Sequence, residues 1–429
     1  MVDFRPFHGL RFDAAVAGDI GTCLAPPFDV IDAGEQAALH ERSRYNVIRL
    51  ELAHLRAGEP PDGERYSRAA ATLADWQAAG VLVRDRAPAF YVYVQEFEDG
   101  GRRYTRRAVL GRLRLEPWEA GIVRPHEETM RAPKEDRLQL LRHLRTNISP
   151  VFATLRAGRA LPAGDEPLFD VVTPDGGRHR LDAVRAPAAV EAVAATWRDE
   201  PAYILDGHHR YETALAYREE CQAKATTWTG EEPENFVLAA LTTADDPGLL
   251  LLPTHRLVRP PSMPADLPQR LERCFDIEDV TPKSYDGTAL LRLLARLSAA
   301  GAAGTAFGAL GLEEGRLHLL KLRDAAAVRS LMPARSQVWQ SLDASVFEYA
   351  VLRNALGVEP DTPGVLEYPD DAQHALREVE AGRWPLAFLL NATRIDQMLA
   401  VADAGERMPA KSTYFYPKLA TGLVLNPLD

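Results

Sequence analysis

Cysteine is scarce in this chain, and the three present, Cys23, Cys221 and Cys274, are odd in number and far apart. That pattern excludes a disulfide framework and a zinc ribbon, and fits a reducing compartment. Long apolar runs are missing too. No stretch approaches the roughly 20 uninterrupted apolar residues that a membrane helix needs, and the opening Met1-Val2-Asp3-Phe4-Arg5-Pro6-Phe7 has no basic region followed by an apolar core. A soluble, cytoplasmic protein without membrane contact is expected. Basic charge is in deficit: 50 Lys and Arg against 61 Asp and Glu give 50 − 61 = −11, which argues against nucleic acid as a general partner. Also absent are a Gly-x-Ser-x-Gly elbow, a zincin helix and a dinucleotide Gly-x-Gly-x-x-Gly after a strand. Gly405 with Lys411 and Ser412 nearly spells a P-loop, yet Ala410 stands where the second glycine belongs. A helical stretch precedes it, Pro409 interrupts it, and β-prone Tyr414-Phe415-Tyr416 follows, so a Walker ATPase is not indicated.

What is there is a globular composition, 46% hydrophobic and 26% charged, over 429 residues, which is more than one core usually supports. The stretch Pro260-Pro261-Ser262-Met263-Pro264 is the best candidate linker, giving domains 1–259 and 265–429. Alternation around Asp99-Gly100-Gly101 predicts a hairpin over 89–115, and Pro174-Asp175-Gly176-Gly177 predicts a second. Helical spacing covers 66–79 and the segment that begins near His208. Residues 45–50 and 422–425 read as strands. Helices and hairpins mix without a βαβ rhythm, so an α+β fold is expected, with a mixed sheet in the amino-terminal domain and a smaller α+β carboxyl-terminal domain.

The segment richest in chemistry is Asp206-Gly207-His208-His209-Arg210, between apolar Tyr203-Ile204-Leu205 and a helical pattern. A helix start has amides without intrahelical partners and a positive dipole end, which suits phosphate. Gly207 allows close backbone approach, and Arg210 offers a permanent bidentate donor. Asp206 would repel a phosphate there unless it holds a metal or accepts a proton; the plainer reading is an N-cap. Adjacent histidines point about 100° apart on a helix, so His208 and His209 do not suit one metal.

Three other segments carry functional residue types. His126-Glu127-Glu128-Thr129 leads into Arg131-Ala132-Pro133-Lys134-Glu135-Asp136-Arg137, a local basic excess that fits an anionic ligand or a solvated helix face. Asp29 and Asp32 follow the rigid Pro26-Pro27, as aimed carboxylates or as ordinary turn residues. Lys411, Ser412, Thr413 and Lys418 lie in a run of lysines, hydroxyls and aromatics that suits a phosphate or nucleotide.

Five blocks in order, Ala25 to Ile31, Pro133 to Arg137, Asp206 to Ala214, Leu252 to Leu257 and Met408 to Gly422, resemble the domain-of-unknown-function 1015 family. The Asp-Gly-His-His-Arg turn is also similar to the phosphate box of the ParB-type partition CTPases, sulfiredoxin and, most closely, the free-serine kinases. That resemblance implies a ParB/sulfiredoxin-like amino-terminal domain in which Gly207, His208, His209 and Arg210 contact phosphates. Asp206 then stands near the transferred group and Asp29 serves as base. Sulfiredoxin's catalytic cysteine has no counterpart, because His208 or His209 occupies its place. The expectation is a nucleotide-dependent phosphotransferase acting on a small hydroxylated metabolite, with free serine as leading acceptor. Its cofactors would be ATP or another nucleotide, with Mg²⁺ held partly by Asp206. His208, Lys134, Arg137, His126, Lys411, Ser412, Thr413 and Lys418 would support the phosphates. A phosphatase or phosphate-ester sensor acting on phosphoserine, and a CTP-binding switch, are the alternatives. A homo-oligomer is left open.

Overall fold

The computed structural model describes residues 1–54, 64–129, 131–156, 160–281 and 287–429, with the side chains of 131–133 outside that description. The Arg131 and Pro133 members of the basic block therefore lie beyond the described side chains. The chain forms two compact units. The first comprises Met1–Pro125, Thr129–Leu250 and Pro417–Asp429; the second comprises His126–Glu128 and Leu251–Tyr416. The proline-rich stretch 260–264 lies inside the second unit, and Pro417–Asp429 returns to the first.

The first unit is built on a mixed nine-stranded sheet. Its strands are β1 (Phe4–Arg5), β2 (Phe90–Asp99), β3 (Arg102–Arg114), β4 (Val123–Arg124), β5 (Val151–Leu155), β6 (Glu166–Val172), β7 (Arg178–Val184), β8 (Ala202–Asp206) and β9 (Phe236–Thr243). The order is β4-β8-β5-β9-β3-β2-β7-β6, with β1 on β3. Both predicted hairpins are present. Gly100 and Gly101 turn β2 into β3, and Gly176 turns β6 into β7, each glycine at positive φ. Helices α1 (Arg65–Ala78), α2 (Arg131–Leu144), α3 (Pro187–Thr196) and α4 (His208–Lys224) belong to the same unit. Phe4, Phe90, Leu113, Trp197, Ile204 and Tyr211 are buried in its main core, each contributing roughly 1.5–3 kcal/mol of burial.

The second unit holds an antiparallel sheet of six strands: β10 (Arg256–Val258), β11 (Phe275–Asp279), β12 (Ala306–Leu310), β13 (Leu317–Leu322), β14 (Leu366–Glu367) and β15 (Leu386–Leu389). Leu293, Leu297, Ala375 and Leu376 from the helices Gly287–Ala303 and Ala372–Glu380 pack into its core. The architecture is α+β, with a large mixed sheet in one unit and a smaller antiparallel sheet in the other.

Two local expectations fail for physical reasons. Residues 45–50 are a turn followed by the helix Ile48–Glu51. Asn46 decides this: its amide donates to the carbonyls of Thr22 and Leu24, and its Oδ1 accepts from Ile48 N, so a side chain supplies the partners a strand would otherwise need. Residues 422–424 are a turn and bend that Gly422 opens at φ +91°; the chain forms bridges at Thr421 and Leu425 on either side and a short strand Asn426–Pro427.

Candidate functional site

Strand β8 pairs antiparallel with β5, matching Tyr203 to Thr154 and Ile204 to Ala153, then slips so that Asp206 faces Phe152. Such an irregularity re-aims the side chain that follows it. Asp206 ends the strand, and Gly207, in the left-handed region at φ +88°, starts α4. A Cβ at Gly207 would lie 3.1 Å from Arg210 Cζ and Nε and 3.3 Å from Val151 Cα, so the close approach requires glycine. The first helical bond runs from Tyr211 N to Gly207 O, which puts the amides of His208, His209 and Arg210 in the end turn, where the dipole favours an anion. Tyr211 locks this turn: it is fully buried, its Oη donates to Glu116 O at 2.9 Å and accepts from Glu116 N at 2.8 Å, and its ring stacks on Trp118.

Asp206 does not cap the helix. Its carboxylate accepts from Arg210 Nη2 at 2.6 Å and from Lys418 Nζ. The three side chains are only 11–13% exposed. Burial pushes the Asp206 carboxyl up, but the charges of Lys418, Arg210 and His208 and the Lys418 hydrogen bond outweigh it and hold the group well below the usual carboxylate range. Arg210 Nη1 donates to Pro150 O, and its Nε is buried without a hydrogen-bond partner. His208 is buried and His209 half-buried.

The backbone that presents Lys418 is held by buried polar groups of the sheet. Arg106 Nη2 donates to Pro417 O and to Gln95 Oε1, and Gln95 Nε2 reaches Lys418 O at 3.5 Å. Arg106 is 1% exposed, lies over the Phe152 ring at 5.1 Å, and is pushed down to about 10 by burial. Next to it on the sheet, Tyr93 Oη bonds His179 Nδ1 at 2.6 Å. Burial pushes His179 down to about 4.

The other sequence candidates fall into separate groups. Lys134 bonds Glu212 of α4 at 3.0 Å, and Thr129 donates to the same carboxylate. Arg137 is buried on Glu51 and Asp136, over the Phe28 ring at 4.3 Å. Arg137, Glu51, Ser149, Thr213 and Arg210 line a cavity of about 50 Å³. Asp29 is exposed on the turn Phe28–Val30, whereas Asp32 caps the helix Ala33–Arg42. In the second unit His126 Nε2 bonds Thr413 Oγ1 at 2.9 Å, and Ser412 Oγ donates to Pro409 O. Lys411 is held at φ +57° with its side chain exposed. Its amide donates to Glu127, and its carbonyl accepts from Thr254 and from buried Arg256. Thus Lys418 joins Asp206, while Lys411, Ser412, Thr413 and His126 form a group of their own.

Sequence reasoning missed Arg106, Gln95 and Arg256. The alternation that turns Val109 and Leu113 to the main core puts Arg106, with Ala108 and Leu110, on the opposite face of the sheet, which is buried as well. Among the described residues, no group of three or more His, Cys, Asp or Glu is arranged to hold a metal, and no helix is long and apolar enough to cross a membrane.

The first unit is thus an α+β domain whose mixed sheet delivers a strand–glycine–helix turn carrying one carboxylate between two cations. The chain belongs to the family described as protein of unknown function (DUF1015), whose model matches residues 4–345. No curated protein matches it. Similar solved structures include a free serine kinase in complex with AMP, at 12% identity and a TM-score of 0.35, covering 74% of this chain and 92% of that one. A mutant of that kinase with ADP has the same values. A conserved hypothetical protein from Pyrococcus furiosus matches at 14% identity and a TM-score of 0.34, covering 74% and 95%.

Proposed function

We propose that this protein is a nucleotide-dependent phosphotransferase of ParB/sulfiredoxin-like type that phosphorylates a small hydroxylated metabolite, with a serine-like amino acid as leading acceptor. The observation that carries the reading is the Asp206 turn. It combines a left-handed glycine, the amide end of a long helix, and Arg210 and Lys418 converging on one carboxylate. Phosphoryl transfer asks little covalent chemistry of a protein; it asks for positioning and fixed positive charge where phosphate charge accumulates.

In this reading the phosphates of ATP or another nucleotide dock on the amides of Gly207, His208 and His209, with Arg210, Lys418 and Lys134 supplying charge. The acceptor hydroxyl oxygen bonds to the terminal phosphorus as the bond from phosphorus to the leaving nucleotide oxygen breaks. The hydroxyl proton passes to a carboxylate, for which exposed Asp29 and Asp206 are the candidates. A resident Mg²⁺ does not fit Asp206, since both of its oxygens are engaged by cations that the ion would have to displace. Mg²⁺ commonly keeps its waters and binds through nucleotide phosphates, and no step here is routed through it.

The test is phosphorus NMR of the purified chain with ATP, ADP or CTP, Mg²⁺, and serine, threonine or glycerol. A new phosphomonoester signal is expected, reduced at least about 100-fold in Asp206→Asn with nucleotide binding retained. No transfer to any acceptor, or full activity in Asp206→Asn, sinks the proposal. Phosphate release from phosphoserine without nucleotide would make the protein a phosphatase instead.

A further inference from the structure

The Asp206 triad is an anion site already filled by an anion that belongs to the protein. A carboxylate presents two oxygens at about the spacing of two phosphoryl oxygens, and it sits where Arg210 and Lys418 meet. The group is nonetheless under-filled. Two cations face one monoanion, and Arg210 Nε is buried without a partner among the described residues. A buried donor in that state is unfavourable, and a phosphoryl dianion offers both the third oxygen and the second negative charge.

The two cations are held by different parts of the chain. Arg210 is tied to the turn by its second bond to Pro150 O. Lys418 has a fixed backbone and a long stem: Pro417 O is held by Arg106, Lys418 O by Gln95, and the chain just beyond by Thr421, paired with Ala25. The ammonium can therefore shift by rotation about its four-carbon stem while the main chain stays in place.

We propose that Asp206 is a placeholder for phosphate, and that Lys418 is the cation that transfers from it to an incoming phosphoryl group. Arg106 and Gln95 are positioning residues that keep Lys418 within reach of both. The exchange frees Asp206 at the moment the phosphoryl group is seated, so the carboxylate becomes available to an acceptor proton only when there is something to transfer. The inference rests on the phosphotransferase reading for that last role, but the cation exchange stands apart from it. The recognised chemistry is a phosphoryl group, which a nucleotide or a phosphorylated metabolite can bring.

The test is calorimetric titration of the full chain with pyrophosphate, ADP and phosphoserine, with adenosine as the phosphate-free control. In Lys418→Met, affinity for the phosphorylated ligands should fall at least about tenfold, the loss of one charge-assisted bond, with adenosine unchanged. A loss confined to ADP and pyrophosphate assigns the phosphoryl group to a nucleotide, and one confined to phosphoserine assigns it to a metabolite. Either supports the proposal. Asp206→Asn should bind these ligands several-fold more tightly, because the competitor is gone, whereas a metal-ligand or purely structural Asp206 gives weaker binding. Unaltered affinity in Lys418→Met, weakened affinity in Asp206→Asn, or no binding by the native chain overturns it.

A crystal structure of the native protein with pyrophosphate removes any dependence on variants that fold. Lys418 Nζ should lie about 2.7–2.9 Å from a phosphate oxygen and off Asp206. A lysine still on Asp206 refutes the exchange even if phosphoryl transfer is measured. Exchange without transfer to any acceptor refutes the enzyme reading and leaves this one standing.

Discussion

Replacing Gly207 by alanine tests the turn at its tightest point. The backbone there has φ +88°, a conformation that costs an L-residue about 1–2 kcal/mol. The added methyl also meets the Arg210 guanidinium at 3.1 Å and Val151 Cα at 3.3 Å, so these neighbours must give by a few tenths of an ångström. Backbone strain alone, at about 2–4 °C per kcal/mol for a domain of this size, predicts a fall in melting temperature of roughly 2–8 °C. Affinity should fall further, because the methyl occupies the space through which an anion reaches the helix amides and displaces the arginine that faces it. A loss of at least about tenfold in pyrophosphate or ADP affinity is expected, the equivalent of one charge-assisted bond.

The control is Gly176→Ala, in the hairpin turn between β6 and β7. There φ is +90° and no atom lies within 4 Å of the added Cβ. It carries the same backbone penalty without touching the turn, so its melting temperature should drop similarly while binding is preserved. Calorimetric titration and thermal melts of both variants decide the matter. If Gly207→Ala binds as the native protein does, or if Gly176→Ala loses affinity equally, the anion does not dock at this helix start.

Two further outcomes follow from buried charge. Glu51→Leu removes one of the two carboxylates that hold the buried Arg137 guanidinium and leaves Asp136 in place, and should cost about 1.5–3 kcal/mol in denaturant unfolding; a loss below about 1 kcal/mol would show that the pair is not a structural anchor. Burial pushes His179 from its ordinary 6.5 down to about 4. Its neutral state therefore contributes stability that is fully present above pH 6.5 and lost as pH falls through 4, about 3 kcal/mol in all at 1.36 kcal/mol per pH unit. His179→Asn should flatten the dependence of the unfolding midpoint on pH between 6.5 and 4, and an unchanged slope would contradict the assignment.

Much of the sheet was legible because its turns are written in glycine: Gly100, Gly101 and Gly176 mark hairpins whose flanks alternate. The turn at Gly207 was legible as a glycine between an apolar strand pattern and a helical one, and its left-handed φ of +88° emerges only in the structure. Residues 45–50 were not, because Asn46 has its partners at Thr22 and Leu24, more than twenty positions away. Lys418 could be picked out as a candidate cation by its composition, but its partner could not: the bond to Asp206 spans 212 positions. No local pattern encodes that closure. Arg106 was not legible, because it lies on the sheet face opposite Val109 and Leu113, and its meaning depends on the distant carbonyl it holds.

The return of Pro417–Asp429 to the first unit has a consequence for how the protein is made. On the ribosome, the Asp-Gly-His-His segment emerges long before its distant lysine exists, since Leu251–Tyr416 of the second unit is translated in between. A nascent, stalled or proteolytically clipped chain that ends anywhere in that interval carries the turn without its second cation. Only a polypeptide that extends past Lys418 can assemble the triad.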